Sequence, residues 1–432
     1  MGITITVLLW GDTSANHRDA FDTGWKSAAA VLAILAAFVT VERLRLSQRE
    51  HRRQLANDEA THITTLSSKA SEQLGSEKAA VRIGGLTDLE RLAEQYPSLR
   101  QTVVDRICAY LRAPYQLPPG RVILAAGAEP ASSDTSAGDP EPSDEEIAAR
   151  RLELDVRRTA QQILLRHLRS SETSPHAFWK KISLDLRDAV LIEVDFRNCR
   201  IASADFRNAT LHSYSWFEGV TFAGDAWFGE VTFAGDAEFR GAMFAGDAWF
   251  GGATFTRDAD FSEVTFTGNA WFRAAMFAGG ADLSGATFIG NAGFGEVTFT
   301  GDTEFSGAMF TGGAWFGGAA FAGDVEFRGV TFTGNAWFRG ATFAREAEFG
   351  GVTFTGDAGF GEVTFVGDAG FGGVTFTGDA LFRGAAYKAE ISFDNARVIS
   401  PNRKHIWPRG WCVETIPHGP GSEARLVRSP GA

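Results

Sequence analysis

Between residues 217 and 393, aromatic side chains recur on two interleaved periods of eleven, with no insertion or deletion. One series runs Phe217, Phe228, Phe239 and onward to Phe393, and the other Phe222, Phe233, Phe244 and onward to Tyr387. Of these 33 positions 31 are Phe, Leu283 and Tyr387 being the departures. Two residues before each second-series aromatic stands Ala or Val, as at Val220, Val231, Ala242 and Ala253. Before the first series it is almost always Ala, with Thr303, Val325 and Ile391 among the exceptions. Residues i and i−2 share a side of an extended chain. Small-x-Phe, repeated, is therefore a packing rule, in which each ring stacks on the next coil and the small residue leaves it room. Upstream, Leu186, Leu191, Phe196, Ile201, Phe206 and Leu211 follow a strict spacing of five, with Leu184, Ala189, Val194, Cys199, Ala204 and Ala209 two places earlier.

The residue before each first-series aromatic sets the coil length. Trp occupies 227, 249, 271, 315 and 337, all on a spacing of 22 or a multiple of it. Between them, also 22 apart, lie Glu238, Asp260, Asp282, Glu304, Glu326 and Glu348. Side chains that repeat once per coil stack above one another, so one coil is 22 residues and two opposite faces differ. One is a tryptophan ladder (Trp227, Trp249, Trp271, Trp315, Trp337), interrupted at Gly293, Gly359 and Leu381; the other is a carboxylate ladder. Thr before and after Phe on the remaining faces (Thr265 and Thr267, Thr331 and Thr333) has the look of an ice-binding surface, but Met243, Met276 and Met309 interrupt the rows.

Ala204-Asp205-Phe206 and Ala259-Asp260-Phe261 match the A(D/N)(L/F) unit, and the chain from Leu184 to about Ala396 resembles the pentapeptide-repeat family. The upstream AVRIGGLTDLERLAEQ and the helix before FWKKISLDL are similar to actinobacterial members of that family. The resemblance implies a right-handed quadrilateral β-helix. The extra residue in every second unit, usually within a Gly-Asp pair such as Gly224-Asp225 or Gly235-Asp236, puts the squareness of its corners in question. The family also includes DNA mimics that engage type II topoisomerases.

Charge excludes some functions. Residues 217–393 hold 22 acidic and 8 basic side chains, whereas the remainder is nearly balanced at 31 and 33. The acidic repeat repels phosphate, so direct nucleic-acid binding is not expected. Acid groups one coil apart are either a solvated face or a phosphate mimic, since phosphates are spaced about 3.4 Å along a DNA strand. Asp225, Asp236, Asp247, Asp357 and Asp368 follow Gly and are expected to close turns by bonding their own backbone; a calcium roll would use a nine-residue repeat. Cys108, Cys199 and Cys412 are too few and too scattered for a disulfide framework. The His residues are scattered, and no HExxH, GxSxG, CxxC or phosphate loop is present. No catalytic residue, cofactor or metal ligand is predicted, and the chain is expected not to be an enzyme.

Outside the repeat, Ser27–Val41 is uncharged and strongly apolar, with Arg43, Arg45, Arg49, Arg52 and Arg53 after it. Extended from Gly24 with Lys26 snorkelling, it approaches the length of a span. The positive-inside rule then places the C-terminal body in the cytoplasm. A buried core helix or a signal peptide are the alternatives. Ile83, Leu86, Leu89, Leu92 and Ala93 share one helical face, and Val103, Val104, Ile107 and Leu111 another, predicting a HEAT-like hairpin with Gly84 and Gly85 at the contact. A Pro-, Ser- and acid-rich linker follows. Next comes a helix that Asp144 caps, whose stripe (Leu152, Val156, Ala160, Ile163, Leu168) seals the first coil.

The expected architecture is thus mixed: N-terminal helices, one of them transmembrane, then a β-helix solenoid. The segments are an extension (1–23), a transmembrane helix (24–46), a helical region (47–115), a linker (116–143), a capping helix (144–181), the β-helix (182–396) and a cap and tail (397–432). The expected function is a single-pass, membrane-tethered scaffold that binds an unidentified protein, or a second copy of itself, through the tryptophan ladder. The alternatives are that the tryptophans are covered internally and only stabilise the coil, or that the acidic face acts as a DNA mimic on gyrase.

Overall fold

The computed structural model describes residues 17–119, 142–169, 177–415 and 423–429. Most of the expected linker, and the first residues of the extension, lie outside them. Helix α1, His17–Leu74, is one unbroken helix of 58 residues. It runs through the expected transmembrane segment and on into the helical region. Residues 1–68 form a unit by themselves. Val31, Leu32, Ile34, Leu35, Phe38 and Val39 are each more than half exposed, and all of residues 28–41 are exposed. Among the described residues no helix is long and apolar enough to cross a membrane, so the expected span at 24–46 is not supported. The uncharged run Ser27–Val41 reaches only about 22 Å at the helical rise, against a hydrocarbon core of about 30 Å.

Helices α2 (Ala79–Gln95) and α3 (Arg100–Leu111) bury Leu86, Leu89, Leu92 and Ala93 of one predicted face and Val103, Val104, Ile107 and Leu111 of the other, while Ile83 is only half-buried. The glycine contact differs from expectation. A Cβ on Gly85 would lie 2.9 Å from the Gln73 Cβ in the last turns of α1, whereas one on Gly84 would meet nothing. Gly85 therefore admits α1, not the partner helix of the hairpin. Helix α4 is Asp144–Leu168, and its cap is Ser143 in a reciprocal capping box with Glu146, so Asp144 is the first helical residue. Leu152 is 55% exposed, because it stands about 80° around the helix from Ala160, at the margin of the stripe. Leu154 and Leu164 are buried in its place. Arg157, 1% exposed, donates to the carbonyls of Leu111 and Ala113 and so satisfies the C-terminal end of α3.

The cap blocks the first coil with side chains that stand in for peptide groups. The Gln161 carboxamide of α4 donates to the Ile192 carbonyl and accepts from its N–H, at 2.8 and 3.1 Å. Gln101 of α3 does the same for Ser183, at 2.9 and 3.0 Å. Arg169 donates to the carbonyls of Asp195 and Arg197. Each replaces the hydrogen bonds of a preceding coil, which is how a solenoid avoids an open strand edge.

Beyond the cap, parallel two-residue strands stack into four faces joined by tight corners. Registers confirm the coil length: Trp249 pairs with Trp271, Asp260 with Asp282 and Thr265 with Thr287, each 22 residues on. The first coil is shorter, pairing Ser183 with Ser203 and Val190 with Thr210. The added residues appear where the five-residue spacing ends, and the four-faced coil accommodates them at its Gly-Asp corners. One face contains ten strands, which at strand spacing gives a solenoid about 45 Å long.

Inside, the Phe rings form columns. Phe228 lies on Phe250 at 4.8 Å and 2° between planes, and meets Phe239 edge-on at 5.7 Å and 87°. Parallel stacking within a column and perpendicular contact between columns are both favoured by the ring quadrupole. At the far end Trp407 packs on Phe382 and Phe376, Ile406 bridges to Leu381, and a hairpin of Trp411–Thr415 and Ala424–Arg428 pairs antiparallel with Arg397–Val398. Phe316→Ala, in mid-column between Phe294 and Phe338, is expected to destabilise the solenoid by about 3–5 kcal/mol, measured as the shift in urea unfolding midpoint.

Candidate binding faces

All five predicted tryptophans stand on one face, each preceded by a buried Ala that turns inward while the indole turns out. Trp249 and Trp315 are 40% and 37% exposed, and the other three are intermediate. Gly293 interrupts the row in sequence but not in space. Trp249 stacks on Trp271 at 6.0 Å, and Trp271 stacks on Trp315 at 6.2 Å and 19°, across the coil that carries Gly293. A Cβ on Gly293 would lie 2.5 Å from Trp271 Cε3. Trp337 leans over Gly359 in the same way. The glycines are spacers that let large rings lie down on the next coil. Their signal in the sequence was a Gly at the very place where the 22-residue period calls for Trp. Beyond Trp337 the row opens into a recess of about 360 Å³ lined by Gly359, Leu381 and Ile406, with the Arg339–Glu362 ion pair at its rim.

The predicted carboxylates form the opposite face, also in register: Glu238, Asp260, Asp282, Glu304, Glu326 and Glu348. The first five of them, with the corner residues Asp258, Asp302 and Asp324, line a shallow groove of about 450 Å³. The row is partly neutralised. Arg240 reaches Asp260 at 3.2 Å, Arg345 reaches Asp324 at 3.0 Å and Arg328 approaches Glu326 at 3.9 Å. Asp258, Asp282, Asp302 and Glu304 make no salt bridge among the described residues, so the middle of the face retains its charge. Burial, and then the neighbouring carboxylates of Asp260 and Asp236, raise the pKa of Glu238 above its ordinary value. At the cap end the sign reverses: hydrogen bonds from Arg187 and Arg197 hold Asp185 and Asp195 below the usual range.

The corner aspartates do not close their own turns, as the sequence suggested. Asp225 Oδ1 accepts from the Asp247 N–H at 3.0 Å, Asp247 from Asn269 at 2.8 Å, Asp357 from Asp379 at 2.9 Å and Asp368 from Glu390 at 3.0 Å. Asp236 instead accepts from the Arg257 guanidinium. Because parallel coils stack in register, the nearest unsatisfied N–H belongs to the residue 22 places on, so these side chains rivet one coil to the next. The threonine rows lie on the two faces between. Met243 and Met309 break one row, Met276 breaks the other, and all three are nearly half exposed. Burial pushes the Cys108 and Cys199 thiols up to about 12, which leaves neither as a ready nucleophile.

Comparison with known families agrees with this geometry. One model described as pentapeptide repeats matches residues 217–265, 261–309, 305–353 and 349–397, and a second matches residues 183–213. No curated protein matches the chain.

Two outcomes follow. Gly293→Ala is expected to force the Trp271 indole away from Trp315, with loss of their exciton signal in circular dichroism while the solenoid stays folded. Glu238 holds its proton more tightly folded than unfolded, so its ionisation counts against the fold above the carboxylate range and not below it. Glu238→Gln is therefore expected to raise the thermal midpoint at neutral pH, and the gain to shrink as pH falls through that range.

Proposed function

Because residues 183–397 belong to the pentapeptide-repeat family, we propose that the chain is a non-enzymatic interaction module, held at a membrane by the apolar part of α1, which binds a protein partner through its tryptophan face. The observation that carries this reading is the stacked row Trp249, Trp271 and Trp315, flat, rigid and more than a third exposed at two of its three rings. A contiguous aromatic surface in water favours being covered, and Trp is enriched where binding energy concentrates. Tethering is supported by residues 28–41, apolar on every side and exposed on every side, followed by five arginines within Arg43–Arg53. A helix that is apolar all round favours burial in lipid or protein. The arginines favour the cytoplasmic side for the body that follows.

A second reading rests on the acidic groove. Carboxylates repeated at coil spacing along Glu238–Glu348 present a charge array like that of a nucleic-acid strand, which suits a modulator of a type II topoisomerase. The charge retained at Asp258, Asp282, Asp302 and Glu304 supports it, and the arginine pairs on Asp260, Asp324 and Glu326 weaken it.

The test compares the wild-type full chain with Trp249→Ser/Trp271→Ser/Trp315→Ser. In site-specific crosslinking from membrane extracts, the triple variant is expected to lose a defined adduct by at least tenfold while keeping its unfolding midpoint within a few degrees. Unchanged adducts contradict the tryptophan-face reading. Absence of gyrase supercoiling inhibition at micromolar protein removes the second one. In vesicle flotation, Leu32→Asp/Leu35→Asp is expected to leave the chain in the dense fraction.

A further inference from the structure

We propose that Glu90, Glu94 and His167 form a divalent-metal site, suited to zinc, that pins α2 to α4 in the cap of the solenoid. Glu90 and Glu94 lie one turn apart on the same side of α2, and His167 lies in the last turn of α4. One ligand atom from each falls within 4.8 Å of the others. His167 is 1% exposed and its ring is held flat against Trp179, at 3.9 Å and 9°.

The hydrogen bonding of that ring points to a cation. His167 Nδ1 sits 2.6 Å from the carbonyl oxygen of Ala177. A carbonyl has no proton to give, so Nδ1 donates. His167 Nε2, on the other side of the ring, is 2.7 Å from Glu90 Oε1. A ring that carries one proton, on Nδ1, presents a lone pair at Nε2 to a carboxylate oxygen that is also an acceptor. Two acceptors so close need a positive species: a second proton on the line between them, or a metal ion beside them at about 2.0–2.2 Å from each, for which the pair opens by about half an ångström. A ring nitrogen bonded to a backbone carbonyl while the other faces the ion is the habitual outer arrangement of metal-binding histidine. Two carboxylates and one imidazole are a donor set that zinc accepts, with water completing the coordination. Glu94 is exposed, which gives the ion a way in. Arg166 also touches Glu90 Oε1, at 2.9 Å; its side chain is 59% exposed and leaves when the ion enters. An ion bound only by the folded cap stabilises it by mass action, and the cap is what covers the edge of the first coil.

The experiment uses the untagged full chain in detergent, stripped with a chelator and dialysed against zinc at micromolar free concentration, with metal measured per chain. Glu94→Gln removes an exposed ligand without disturbing the core, and Asp282→Asn on the acidic face is the control. The expected result is one zinc per chain, bound at least tenfold more weakly by Glu94→Gln and equally by Asp282→Asn. Zinc is also expected to raise the unfolding midpoint of the wild type but not of Glu94→Gln. No stoichiometric uptake overturns the proposal and leaves a proton alone between His167 and Glu90. Uptake that Glu94→Gln leaves unchanged also overturns it, and uptake weakened by Asp282→Asn assigns the metal to the acidic face.

Discussion

Every feature of the solenoid depends on a phenylalanine ring lying flat on its own repeat one coil later. Ring centroids within a column are 4.5 to 5.3 Å apart, close to the spacing of hydrogen-bonded strands. The ladder and the stack therefore demand the same rise and reinforce each other. Both also demand that each ring keep its register: a residue added within a face would swing that ring outward, whereas one added at a corner does not, as where Phe196 stacks on Phe217 and Phe206 on Phe228. Burying each ring contributes about 2–3 kcal/mol, summed along a one-dimensional array in which each coil supports its neighbours. The exterior inherits this order without selecting for it, because whatever precedes the first-series Phe must repeat on one face.

That is why so much was legible in the sequence. The period of Phe, the small residue two places before it and the recurrence of Trp and carboxylate at 22 are local facts, and a regular stack turns them directly into columns and faces. What stayed hidden depends on neighbours in space. Gly293 looks like a gap in the tryptophan row and is the clearance that completes it, and Gly359 gives Trp337 the same room at the end of the row. Asp225 and Asp247 have the form of turn residues, but their oxygens find the N–H of the coil above before their own. In the cap, periodicity placed the faces of α2 and α3 correctly and misjudged Leu152 at the margin of α4, where rotation by a fraction of a turn decides burial. Glu90 and His167 are far apart in sequence and meet only because α2 and α4 pack together. The length of α1 was also hidden, because an apolar run suggested a boundary where the helix simply continues.

The two unlike faces suggest how such a rod works. Its interior fixes shape at high stability, which leaves the outer positions free to carry one chemistry per face. Stacked indoles supply a rigid apolar surface with little side-chain entropy left to lose on binding. The acidic face opposite carries like charges, which oppose the approach of another acidic surface on that side. Side-chain amides at the capped end and a hairpin at the other cover strand edges that would otherwise recruit further strands.

The most direct test of the 22-residue coil is a distance between two spin labels on one face. Met243 and Thr353 belong to the same column of paired strands, separated by five coils. Cysteines at both positions, with Cys412 replaced by Ser, are predicted to give a single narrow distribution centred on about 24 Å between backbones. A broad distribution, or one centred far from that value, would contradict the stacked-coil account.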